Sequence, residues 1–146
     1  MAKYLQGRFV PKNPDKYTGD VSNIFFRSSW ENKVMILFDN NPNFLKWSSE
    51  ETIVPYISPI DGKYHRYFPD FMVKYRNRSG AVINAMVEVK PFSQTKLPVK
   101  KNKMTKRFIT EAQTYMVNEA KWIAAKEWCN KHGYEFMILT EKDLKV

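Results

Sequence analysis

PDFMVKYRNRSGAVINAMVEVK, residues 69–90, decides how this chain folds. Two mainly apolar runs, FMVKY and AVINAMV, flank Arg76-Asn77-Arg78-Ser79-Gly80, the composition of a β-hairpin with a tight turn. A fold-back centred on Ser79 sets Asp70 opposite Glu88. In that register one face carries Asp70, Met72, Lys74, Asn84, Met86, Glu88 and Lys90, and the other Phe71, Val73, Tyr75, Ile83, Ala85, Val87 and Val89. The second set is almost wholly apolar and is the expected core face, since side chains alternate with period two. The first set brings two carboxylates together, and like charges directly opposite destabilise a sheet. A divalent cation is the simplest offset, and Mg²⁺ suits hard oxygen ligands of this kind.

Working back from the hairpin, Pro69 cannot donate to a ladder, which predicts an edge position or a bulge that would re-aim Asp70. Tyr64 to Tyr75 is extended, the turn Ile60-Asp61-Gly62-Lys63 precedes it, and short strands are expected over Glu51–Ile57 and Phe44–Trp47. A helix opens at Ser28, with Glu31 three residues on completing a capping box, and ends near Asn40-Asn41-Pro42. Trp30, Val34, Leu37 and Phe38 form its core stripe. Glu31 lies beside that stripe. It suits a helix start and also aims a third carboxylate toward the hairpin. Residues 1–23 lack sustained periodicity and carry Lys3, Arg8, Lys12 and Lys16, the pattern of a basic arm ordered in part by Tyr4, Phe9 or Tyr17. The folded domain is then residues 24–146.

Beyond the hairpin, Pro91 to Thr110 contains Lys96, Lys100, Lys101, Lys103, Lys106 and Arg107 without a single acid. These residues are expected to meet phosphates, the sequence-independent part of DNA affinity. No base-reading module is visible, so sequence specificity is not expected from this segment. A long helix follows over about residues 105–131, with Ile109, Ala112, Met116, Ala120 and Ile123, widened by Tyr115 and Trp122, as its core stripe and Gly133 as its stop. Gln113 beside that stripe reads as structural, and His132 as a residue of the helix end. Tyr134–Thr140 is a last strand joined by a helical crossover, and Glu141–Val146 a short tail. The order predicts an α/β or α+β domain with one mixed β-sheet flanked by helices, and α/β is the reading taken.

The chain has the length of one domain at 146 residues, and 43% hydrophobic with 15% aromatic residues suffices for a core. Twenty-four Lys and Arg against 15 acids leave a net charge of +9, which favours a polyanionic partner such as DNA. The single Cys129 cannot form an internal disulfide and is expected to pack inside. His65 and His132 without CxxC or HExxH give no zinc site. No apolar run approaches the roughly 20 residues of a membrane span, and no signal-peptide core opens the chain, so a soluble, intracellular protein is expected.

Asp70, Glu88 and Lys90 at one sheet edge, with the Val89 carbonyl beside them and Glu31 from the other side directly or through water, form a ligand set for a metal. A metal there would polarise a phosphate and acidify a water, with Lys90 orienting that water or balancing transition-state charge. These parts suit phosphodiester hydrolysis. The competing reading is a salt-bridged strand pair in which Lys90 neutralises the acids.

FRSSWE (residues 26–31), YFPDFMV (67–73) and MVEVKP (86–91), in that order and spacing, resemble the PD-(D/E)XK nuclease superfamily. Two branches are similar: the TnsA-like endonuclease domain, with a terminal strand running into a Thr-Glu like Thr140-Glu141, and the small head-completion nucleases of large tailed phages. The second similarity extends to FVPKNPDKY (residues 9–17) and to Ile53–Pro59 with its Asp61-Gly62-Lys63 turn. The resemblance implies a restriction-endonuclease-like domain with Glu31, Asp70, Glu88 and Lys90 as its catalytic set. It further implies a Mg²⁺-dependent endodeoxyribonuclease, with Mn²⁺ as a substitute, acting on packaged DNA ends beside phage head or neck proteins, in the host cytoplasm during assembly or in the virion. Two other readings stay open: a non-catalytic protein that binds DNA ends at the head, and a junction-resolving or transposition-type nuclease. The helical Gln-xxx-Tyr motif of some relatives is absent, since Val117 stands four residues after Gln113.

Overall fold

A computed structural model describes residues 6–99 and 104–145. Its elements, in chain order, are β1 (Gly7–Arg8), β2 (Phe25–Phe26), α1 (Ser29–Asn40), β3 (Phe44–Ser49), β4 (Val54–Ile57), β5 (Tyr64–Tyr67), β6 (Phe71–Arg76), β7 (Val82–Val89), α2 (Lys106–His132), β8 (Glu135–Leu139) and α3 (Glu141–Leu144). The main sheet has the order β3-β6-β7-β8, while β1-β2 and β4-β5 form two small antiparallel ribbons. Strand β8 lies parallel to β7, so α2 makes the expected crossover, and the other pairs of the main sheet are antiparallel. This is the mixed sheet flanked by helices that the sequence predicts.

The hairpin register is the expected one. Phe71 pairs with Val87 and Arg76 with Val82, and one step beyond the ladder Asp70 comes opposite Glu88. Phe71, Val73, Ala85 and Val87 pack under α1 with Trp30, Val34, Met35, Phe38 and Trp47. Phe38 meets Phe71 edge-on at 5.4 Å between ring centroids, a favoured aromatic geometry. The opposite face is covered as well. Met72 and Met86 join Val54, Tyr56, Tyr67, Ala125 and Cys129 beneath α2 and the β4-β5 ribbon. Phe9 and Tyr17, within the segment read as a basic arm, are buried in the α1-side core, while Lys3 and Tyr4 lie outside the described residues.

Four expectations are corrected, the first being Leu37, placed in the α1 core stripe but 41% exposed. Pro69 occupies neither an edge strand nor a bulge: β6 is an inner strand, and Pro69 is fully buried in the link where the chain leaves the ribbon and enters the sheet. On α2 the buried residues are Asn118, Trp122, Ala125 and Cys129, while Ile109, Met116 and Ile123 are 43%, 46% and 54% exposed. The seven-residue spacing of those three large residues marks a helix face turned to solvent. The supposed tail is instead helix α3, started by a Thr140/Asp143 capping box and anchored by Leu144 in the core. At the other end of α2, Gly133 takes the left-handed conformation (φ 74°) that a helix stop requires.

Candidate active site

The site lies where β6 begins and β7 ends. Asp70 comes opposite Glu88 at the end of the hairpin, and the Asp70 Oδ2 accepts the Val89 amide at 2.8 Å. Burial, and then the neighbouring Glu88 charge, push the Asp70 carboxyl well above the ordinary carboxylate range, with Lys90 opposing. Tyr67, the last residue of β5, is buried and donates its hydroxyl to Glu88 Oε2. The Lys90 amide donates to the Leu139 carbonyl at 3.0 Å and extends the β7-β8 pairing past the site.

Glu31 reaches the site from the first turn of α1. Ser28 caps the helix by accepting the Glu31 amide at 3.2 Å, but the Glu31 carboxylate takes the amide of Arg27 at 3.2 Å, one residue before the cap, so the expected box is displaced by one position. Burial first, and the Asp70 charge second, raise the Glu31 carboxyl to about 7. Arg27 pairs through its side chain with Glu50 at 3.3 Å. Glu50 adopts a left-handed backbone (φ 54°) that turns its amide onto the Asp70 carbonyl at 3.2 Å.

Lys121 and Tyr67 are missing from the sequence-based set. From the middle of α2, the Lys121 ammonium lies 5.6 Å from the Tyr67 ring centroid and 5.8 Å from that of Tyr56, over the tyrosine that holds Glu88. Burial, then nearby Lys90, lower its proton affinity, while Glu88 and Asp70 raise it. The signal for Tyr67 in the sequence is only its place three residues before Asp70. A lone lysine in a polar helix gives none.

The other residues of the sequence-based set fall outside this cluster. Lys96 lies over the Phe92 ring at 4.7 Å, Arg107 pairs with Glu111 at 2.9 Å, and both line a cleft of about 390 Å³ between residues 93–98 and the start of α2. Lys106 is exposed at the first position of α2, Gln113 is exposed on the same helix, and Lys100, Lys101 and Lys103 lie outside the described residues. A cleft of about 490 Å³ lined by Lys46, Lys74, Asn84 and Trp128 holds no carboxylate.

The donor set fits a hard divalent cation: two carboxylates opposed at the end of the β6-β7 hairpin, Glu88 buried and Asp70 half-buried. Among the described residues no three acidic, histidine or cysteine side chains gather tightly enough to hold one ion. Glu31 is near enough for the Asp70 charge to raise its carboxyl, yet it does not complete a three-ligand cluster with the pair.

A mixed sheet with this strand order, paired carboxylates closing its central hairpin and a following lysine define a class of protein, the PD-(D/E)XK nucleases. Residues 41–141 match the TnsA-like endonuclease N-terminal domain, and the chain belongs to that family. That match begins after α1 and so spans Asp70, Glu88 and Lys90 but not Glu31. The chain is also 41% identical over 144 residues to the head completion nuclease of Enterobacteria phage T4, covering 96% of this chain and 93% of the relative. No helix among the described residues is long and apolar enough to cross a membrane.

Proposed function

We propose that this endonuclease is a Mg²⁺-dependent deoxyribonuclease that processes DNA ends during completion of a phage head, with Asp70, Glu88, Lys90 and Glu31 as its catalytic set. The observation carrying the reading is the Asp70-Glu88 pair, two carboxylates set opposite each other at the end of the hairpin with Glu88 buried and Asp70 half-buried, a costly arrangement that a bound cation relieves. Asp70, Glu88 and the Val89 carbonyl would hold the cation, Glu31 would join through water, and Mn²⁺ would substitute. The ion would supply Lewis-acid polarisation of the phosphate and acidification of a nearby water. Tyr67 fixes the Glu88 carboxylate through its hydroxyl. Lys90 balances charge developing on the phosphate, and Lys121, held over Tyr67, adds a second positive charge on the α2 side. Lys96, Lys106 and Arg107, with Lys100, Lys101 and Lys103, track the DNA backbone beyond the site, and the net charge of +9 draws the polyanion in. The head-completion role, with phage head or neck proteins as partners, rests on the named relative.

A nicking assay on linear and circular DNA, in Mg²⁺ or EDTA, tests this directly. Wild type should cut only with the metal, and Asp70→Ala should lose at least about a thousandfold in rate, in line with loss of metal-ion catalysis. DNA bound by both proteins and cut by neither would favour a structural end-binding protein instead.

A further inference from the structure

Two exposed phenylalanines face one cleft beside the carboxylates, and each carries an arginine. Phe25, 41% exposed, lies 6.0 Å from the Arg27 guanidinium carbon. Phe68, 38% exposed, lies 5.7 Å from that of Arg66. Phe25, Arg27 and Phe68 line a cleft of about 330 Å³ whose floor is Ser49, Glu50 and Glu51. Phe68 also borders the adjoining recess on the β4-β5 ribbon, where Tyr64 is 76% exposed.

The walls of this cleft are tied to the site by the backbone. Phe68 stands two residues before Asp70, the Glu50 amide donates to the Asp70 carbonyl at 3.2 Å, and the Arg27 amide holds Glu31. Both acids at the floor have partners: Glu50 pairs with Arg27, and Glu51 accepts the Tyr17 hydroxyl at 2.9 Å. The walls thus offer two aromatic rings, each with a guanidinium over one face, Arg27 within the cleft and Arg66 in the adjoining recess. A nucleobase stacks on such a ring while an arginine meets its phosphate, and the protein's charge of +9 complements that strand. An apolar protein partner would gain nothing from the two arginines.

We propose that the Phe25-Phe68 cleft binds an unpaired nucleobase next to the scissile phosphate, so that the preferred substrate is a frayed end, flap or single-strand junction and not continuous duplex. The proposal rests on the nuclease reading above and names its substrate class. A base parked between Phe25 and Phe68 leaves the adjoining backbone to run past Glu31 toward Asp70. Continuous duplex has no base free to enter.

The test uses a duplex with a splayed end carrying 2-aminopurine at an unpaired position, titrated with the full chain in EDTA and followed by fluorescence and anisotropy. Stacking predicts quenching on binding, lost in Phe68→Ala and Phe25→Ala and retained in Phe68→Trp, with about tenfold weaker affinity for the splayed end in the alanine variants, within the range for one stacked base. With Mg²⁺, wild type should cut splayed over blunt DNA by at least about tenfold, and that ratio should fall toward one in Phe68→Ala. Quenching in EDTA without any cutting in Mg²⁺ would retain the cleft and remove the nuclease reading. Cutting without quenching, or equal quenching in wild type and both alanine variants, would overturn the cleft. Unaltered affinity for the splayed end in both alanine variants would overturn it too and assign these phenylalanines to a protein partner.

Discussion

The two faces of the β6-β7 hairpin come from the same twenty-two residues and have opposite energetics. On the α1 side, Phe71, Val73, Ala85 and Val87 are 4% exposed or less and lie among aromatic rings. On the α2 side, Met72 and Met86 pack in the same manner, but the row ends in Asp70 and Glu88, where burial opposes charge. Period-two alternation makes this division possible: one strand pair secures the fold on one face and carries strained polar groups at the end of the other. The apolar face supplies the stability that lets two carboxylates remain together. Substitutions of the apolar α1-face residues and of the carboxylates that end the α2-face row should therefore change stability with opposite sign.

The largest effect on stability is expected from Phe71→Ala, which opens a cavity under Phe38 and Trp47 and should cost about 3–5 kcal/mol in denaturant unfolding. Asp70→Asn should move stability the other way. In EDTA at about pH 8 it removes the repulsion with Glu88 while keeping an acceptor for the Val89 amide, and a gain on the order of 1–2 kcal/mol is expected. A loss in Asp70→Asn would show that the pair supports the fold, and the contrast between the faces would disappear. Lys121→Met tests how far the polar face extends. Its alkyl stem keeps the packing over Tyr56 and Tyr67, so unfolding should change by less than about 1 kcal/mol while Mg²⁺-dependent cleavage drops about tenfold. Unchanged cleavage would confine the polar face to the hairpin and α1.

Much of this division was legible in the sequence. The turn at Ser79 and the strict alternation of residues 71–89 fixed the register, and with it the meeting of Asp70 and Glu88. Ser28 and Gly133 marked helix ends because capping is local chemistry. The failures have tertiary causes. The buried face of α2 sets Asn118 and Ala125 beside the expected Trp122 and Cys129, and the first two carry less hydrophobic signal than the exposed Ile109, Met116 and Ile123. Lys121 and Tyr67 reach the site only because α2 packs across the β4-β5 ribbon, a relation between segments far apart in the chain. Pro69 was placed by its missing donor, yet its position follows from the chain changing sheets, which local sequence does not encode.

The smallest effect concerns Glu31, which completes no three-ligand cluster with the pair and yet responds to it. Burial and the Asp70 charge raise its carboxyl to about 7, against an ordinary value of 4.5. An acid whose folded value is raised contributes stability that is fully present below its unfolded value and is lost as pH rises through the folded one. In EDTA the protein should therefore lose stability between about pH 5 and pH 8, with Asp70 acting in the same direction. Because Glu31 is only half-buried, its own share should be on the order of 1 kcal/mol after solvent screening. Glu31→Gln keeps an acceptor for the Arg27 amide and removes the titration, so its stability should fall less over that interval than wild type's. A Glu31→Gln profile superimposable on wild type would mean that Glu31 does not sense the Asp70-Glu88 pair, and its place at the site would reduce to helix capping.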